Sequence, residues 1–321
     1  MGLLALTVIF VCVSTSPAQS TNVLRLPATL VCTNYQAWFG GGLDWASPTN
    51  FTNGSYADNW YGIAGYNIIS YRLDRLYDLD TFKYGDNTAD ERHPDGRVYS
   101  FEIAAGSGAA QSNADTSIST TNTVTVTPMT GIIGRRGGYV RFRVTSYNDS
   151  NNGGSEFEVW GTPTAYRRIP NPVIYTNYQE FSGDYAVTNV FNDELSRGYH
   201  AEYASAGGGL NTYIVFDFGS PTTVSAVEIW DRGEPSGIQG AQLIFSDDLT
   251  FGDAGDVTVG YSKAATDPAV LVDLIPQGHP DGVARRYVKW QVTVNGGDGN
   301  NGMGEIAFYA TPPTGTRIRV R

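Results

Sequence analysis

Three histidines, His93, His200 and His279, are all the chain offers for imidazole chemistry. Two of them open the same unit, His93-Pro94-Asp95-Gly96 and His279-Pro280-Asp281-Gly282. Proline in the second place and glycine in the fourth is type I turn chemistry, so both units read as turns and not as acid–base groups. No nucleophile elbow, H-E-x-x-H or phosphate-loop pattern accompanies them. Glycoside hydrolysis needs two carboxylates facing one bond, and nothing in the spacing of the acids marks such a pair. Asp247-Asp248 with Asp253 and Asp256 lacks the alternating spacing of a calcium loop and reads as a solvated loop. Cys12 and Cys32 are the only cysteines, too few for a disulfide framework or a cysteine metal site. The expectation is a protein that is not an enzyme.

Binding chemistry is better represented. A pyranose has an apolar face that packs on a flat aromatic ring, with a few hydrogen-bonding groups beside it. Aromatic residues stand in loop-like stretches at Trp38-Phe39, Trp45 and Trp60-Tyr61. They recur in Tyr199-His200-Ala201-Glu202-Tyr203, just before a glycine-rich run. Trp38, Trp45, Tyr61, His200 and Tyr203 are the candidate ligand-binding residues. Trp230 and Trp290 fall inside strand-like runs and are expected in the core.

The elements that must position these groups are strands. Of 321 residues 38 are glycine, against an average near 7%, and charged residues make up only 17%. Twenty Tyr and 14 Phe suit a pleated, half-buried surface, and glycine supplies the turns between strands. In Val140-Arg141-Phe142-Arg143-Val144 and Val288-Lys289-Trp290-Gln291-Val292 apolar and polar residues alternate, which sends Val140, Phe142, Val144, Val288, Trp290 and Val292 to the buried faces. Asn122–Thr127 alternates likewise. A net charge of −11 removes nucleic acid as a partner, because phosphate contacts need a basic surface. Residues 3–13 form an uncharged apolar run followed by small and polar residues, so 1–18 reads as a signal peptide and the mature protein as extracellular or cell-surface. No other stretch is long and apolar enough for a transmembrane segment.

The chain also repeats itself. Thr33-Asn34-Tyr35-Gln36 recurs as Thr176-Asn177-Tyr178-Gln179 at an offset of 143. Ile69–Leu73 parallels Ile214–Phe218 at 145, Tyr139–Val144 parallels Tyr287–Val292 at 148, and Asn151-Asn152-Gly153-x-x-Glu156 parallels Asn300-Asn301-Gly302-x-x-Glu305 at 149. Four matches in one order, with slowly drifting offsets, are a duplicated domain. The expected units are β-sandwiches at 28–163 and 173–313, a proline-stiffened linker at 164–172 and a tail at 314–321.

The second half resembles a coagulation factor V/VIII type C domain, also called a discoidin or galactose-binding-like domain. The resemblance is carried, in order, by Asn189–Asp193, Tyr199, Tyr213–Gly219, Thr223–Trp230, Arg285–Val292 and Gly304–Tyr309. The first half is similar through Asn50–Trp60, Ile69–Tyr84, Gly138–Val144 and Ser155–Gly161, but has Asp74-Arg75-Leu76 in place of the Asp-Phe-Gly turn. The resemblance implies an all-β protein of two tandem antiparallel jelly-roll β-sandwiches, used as binding modules. It implies that Trp60 and Tyr199 pack into the cores. It also implies a structural Ca²⁺ held by Asn192, Asp193 and Glu305, and in the first half by Asn53 and Glu156, where Gly54 stands opposite Asp193. The expected function is recognition of glycans or another extracellular surface ligand. The alternative is a structural or adhesive protein that self-associates without a small ligand.

Overall fold

A computed structural model describes residues 24–25, 29–34, 60–63, 68–85, 98–108, 111–113, 129–147, 151–154, 156–177, 180, 182–193, 195, 203–205, 210, 212–231, 238–295 and 301–312. The segments 1–18 and 314–321 and the Asn122–Thr127 run lie outside them. The first half contributes β1 (Leu24–Arg25), β2 (Thr29–Asn34), β3 (Trp60–Ile63), β4 (Ile68–Gly85) and β5 (Val98–Ala104). It continues with β6 (Gln111–Asn113), β7 (Met129–Tyr147), β8 (Asn151–Gly154) and β9 (Glu156–Arg168). The second half contributes β10 (Val173–Thr176), β11 (Tyr203–Ala204), β12 (Tyr213–Val224), β13 (Ala226–Trp230) and β14 (Gly240–Ser246). It closes with β15 (Val257–Ser262), β16 (Ala269–Asp273), β17 (Val283–Val294), β18 (Gly302–Met303) and β19 (Glu305–Ala310). Two 3₁₀ turns, Gly183–Tyr185 and Val187–Phe191, are the helical elements among the described residues.

The duplication seen in the sequence is kept in the strand register. Tyr71 pairs with Val140 and Ile69 with Phe142 between β4 and β7, and their repeats Phe216 with Val288 and Ile214 with Trp290 pair between β12 and β17. Phe82 opposite Val159 is matched by Val227 opposite Phe308, and Trp60 opposite Gly154 by Tyr203 opposite Met303. In the second half the repeat forms two sheets. One is β10-β12-β17-β14-β15, and the facing strands are β16-β13-β19. Between them lies a core that includes Phe216, Val227, Trp290 and Phe308. In the first half β4 does the work of both β12 and β13, as one strand bent between Arg72 and Tyr77 where its register with β7 shifts. Half of its core is aromatic, including Tyr71, Phe82, Tyr84, Phe101, Phe142 and Phe157, with Tyr71 stacked on Phe157 at 5.3 Å. The architecture is therefore all-β and antiparallel with jelly-roll-type sandwiches, as expected. Val140, Phe142, Val288, Trp290, Val292 and Trp230 are buried as the alternation requires.

The expected linker takes another form. Residues 164–168 are the end of β9, and Arg167 and Arg168 pair with Ala310 and Tyr309 of β19. One ten-stranded sheet thereby crosses from the first half into the second. A third core fills the seam, with Leu76, Tyr139 and Tyr166 from the first half against Leu195, Trp230 and Tyr309 from the second. Ser70 Oγ accepts from the Leu195 amide at 3.1 Å, and Asp273 accepts from Tyr166 Oη at 2.8 Å and Arg136 Nη1 at 3.3 Å. β1 also pairs with β9, so the first half begins ahead of residue 28.

Glu228 is buried in this seam. Its carboxylate accepts from the Gly138 amide at 2.8 Å, Tyr309 Oη at 3.0 Å and Trp230 Nε1 at 3.3 Å. Gly138 is required there, because a Cβ would stand 2.0 Å from Tyr309 Oη. Burial outweighs the three donors and pushes the Glu228 pKa up to about 7. The folded chain then holds a proton that the unfolded chain gives up near pH 4.5. This group's contribution is fully present below that pH and is lost as pH rises through about 7. For one proton the slope is at most about 1.4 kcal/mol per pH unit. Denaturation of wild type and Glu228→Gln from pH 5 to 8 should show the wild type losing stability relative to the variant as pH rises.

Candidate functional site

The 3₁₀ turn Val187–Phe191 ends with Asn192, whose amide donates to the Asn189 carbonyl at 3.2 Å. Asp193 follows at φ 65°, a left-handed conformation that Asp tolerates better than most residues. Its amide donates to Glu305 Oε2 at 2.8 Å, so the turn is fastened to the first residue of β19. The two carboxylates that the resemblance assigned to calcium do converge. What stands between them comes from the first half. Arg168 Nη2 lies 3.0 Å from Asp193 Oδ1 and 3.8 Å from Glu305 Oε1. Arg72 pairs with Asp193 Oδ2, and Tyr139 Oη lies 2.6 Å from Asp193 Oδ1 and 3.2 Å from Glu305 Oε1. Burial, followed by the neighbouring Asp193 charge, pushes Glu305 well above the usual carboxylate range. Burial works against the Arg168 charge, but Tyr139, Tyr309, Asp193 and Glu305 outweigh it and raise its pKa.

A calcium ion takes roughly six to eight oxygen ligands. Here the carboxylate oxygens are already engaged by two guanidinium groups, an amide and a hydroxyl. Among the described residues no group of three or more His, Cys, Asp or Glu side chains is placed to hold a metal. The residues around Asp193 do not fit calcium, because Arg168 occupies the role of the cation. Asn53 lies outside the described residues, and Glu156 opens β9 opposite Gly85. The acidic loop is consistent with a solvated turn. Asp248 and Asp256 accept from Thr250 and Gly252 amides at 2.8 and 2.6 Å, and Asp247 pairs with Arg285 at 3.5 Å. His279-Pro280-Asp281-Gly282 is a turn, closed by the Gly282 amide on the His279 carbonyl at 2.9 Å.

Of the candidate ligand residues, Trp38, Trp45 and His200 lie outside the described residues. Tyr61 sits in β3 opposite Gly153. Tyr203 is fully buried, its hydroxyl 3.0 Å from Thr176 Oγ1. Its partner in the repeat is Trp60, the residue the resemblance already assigned to the core, so the duplication itself signals this burial.

An aromatic and polar set does face outward on the five-stranded sheet. One cross-strand row runs Tyr175, Val215, Lys289, Ile244 and Thr258, and the next runs Tyr213, Gln291, Gln242 and Gly260. Tyr175 is 52% exposed, while Val215 beside it is buried. Lys289 Nζ lies 4.4 Å from the Tyr213 ring centre and 5.5 Å from that of Phe251. Gln242 Nε2 donates to Gln291 Oε1 at 3.5 Å. Arg286 grips Asp217 on the same face with two bonds of 2.9 and 3.0 Å. None of these was singled out from the sequence, although Lys289 and Gln291 are the polar half of an alternation whose apolar half was assigned to the core.

No protein-family model and no curated protein sequence matches the chain. Among solved structures, the chain is similar to the CBM32-1 and CBM32-2 domains of Clostridium perfringens ZmpB. Identity is 10% over 89% of this chain and 92% of that one, with a TM-score of 0.36. It is similar to a fucolectin from the serum of the striped bass, Morone saxatilis, at 14% identity over 89% and 97%, TM-score 0.34. The lectin domain of lectinolysin, solved with Lewis B antigen, matches at 11% identity over 44% and 94%, TM-score 0.35.

If Arg168 supplies the cation, EDTA should leave the denaturation midpoint of the wild type unchanged and added CaCl₂ should not raise it. Arg168→Ala removes one partner of a buried pair and should cost on the order of 3 kcal/mol in urea denaturation. Arg168→Lys should recover part of that loss.

Proposed function

We propose that this is an extracellular, non-catalytic protein that binds carbohydrate on the outer face of the five-stranded sheet. The observation that carries the reading is one sheet face that presents the half-exposed Tyr175 ring on β10 and, two and three strands away, the paired amides of Gln291 and Gln242. A flat ring for the apolar face of a sugar and planar amides for its hydroxyls are the two components such recognition needs. Both stand on strands whose inner faces are locked into the core, so the site is preorganised. Glu228, Glu305, Asp193 and Arg168 serve the seam, and Lys263 pairs with Asp231 at 2.7 Å. The apolar run at residues 3–13 supports export.

A glycan array probed with the full chain tests the proposal. Retention of at least one glycan is expected, and Tyr175→Ala should weaken it at least tenfold. Because Tyr175 is half exposed, the substitution should change stability by less than about 0.5 kcal/mol. A wild type that retains no glycan would end the carbohydrate reading. Unchanged retention by Tyr175→Ala would move the site off this face.

A further inference from the structure

Two basic groups beside the outer face are already engaged. Arg286 is held by Asp217 in a two-bond pair, and Arg285 by Asp247 at 3.5 Å. Lys289 differs from both, since among the described residues its ammonium meets two aromatic rings and no carboxylate. Burial pushes its pKa below the ordinary lysine value. A partly desolvated cation without a counter-ion gains more from an arriving anion than a hydrated one does.

The sheet fixes what shape of anion fits. Tyr175 and Lys289 stand two strands apart in one row, about 10 Å at the usual strand spacing, with the short, buried Val215 between them. This stretch of the row therefore offers the half-exposed Tyr175 ring at one end and an ammonium resting on the Tyr213 ring at the other, with the Gln291 and Gln242 amides along the adjacent row. We infer that this face takes an acidic saccharide, with one sugar ring packed on Tyr175 and the carboxylate of the acidic sugar on Lys289 Nζ. The inference rests on the carbohydrate reading above and narrows it to a class of ligand. The net charge of −11 opposes an anion only at long range, and salt screens that field beyond roughly 8 Å. Inside that distance Asp217 is paired with Arg286 and so is not free to neutralise Lys289.

Calorimetric titration of the full chain with a glucuronic-acid-containing disaccharide and its carboxyl-reduced counterpart tests the inference. The acid form should bind at least tenfold more tightly, and its advantage should shrink as NaCl is raised. Lys289→Met, which keeps a long side chain between the two rings, should bring the ratio of the two affinities, measured within the variant, to about one. Lys289→Arg should keep the advantage. Equal affinity of the wild type for the two sugars, or an advantage that survives in Lys289→Met, overturns the acidic class and leaves carbohydrate binding standing. A wild type that binds neither disaccharide and no glycan on the array overturns the underlying reading instead.

Discussion

A carboxylate buried without a compensating charge is among the costliest things a fold can contain, and this chain buries two within reach of each other. Asp193 and Glu305 belong to the second half, while the Arg168 and Arg72 guanidinium groups and the Tyr139 hydroxyl that engage them belong to the first. Neither set is satisfied without the other. The seam is therefore more than two domains touching. The second half completes its own turn at Asp193 only when the end of β9 delivers Arg168 beside β19. The Glu228 site repeats the logic with neutral donors, since the Gly138 amide of the first half caps a carboxylate of the second.

The same constraint explains how a duplicated sequence yields unequal halves. The repeats keep matching strand registers, yet the first half uses one long strand, β4, where the second uses two, β12 and β13. The face of β13 and β19 turned away from the second core is covered by Tyr139, Leu76 and Tyr166. The first half thus serves as a third layer. The second half's opposite sheet has its outer face turned away from that seam, and there Tyr175, Gln242, Gln291 and Lys289 are gathered.

What the sequence made legible follows from periodicity and repetition. Alternation placed Val140, Phe142, Val288, Trp290 and Val292 in the core. The convergence of Asp193 and Glu305 was legible too, through the family resemblance, but not the identity of the cation between them. Arg168 and Tyr139 lie 25 and 54 residues from Asp193, and no local pattern announces such a meeting. Tyr203 looked like a loop aromatic because its two-residue strand is too short to show alternation. The outer-face set was missed for a related reason. Lys289 and Gln291 are visible as outward residues, but their proximity to Tyr175 and Tyr213 depends on strand order, which alternation does not encode.

The central claim is that charge compensation across the seam makes the two halves one cooperative unit. Scanning calorimetry of the full chain tests it most directly. The account predicts a single transition whose calorimetric and van't Hoff enthalpies agree. Two resolved transitions, each with its own enthalpy, would contradict it.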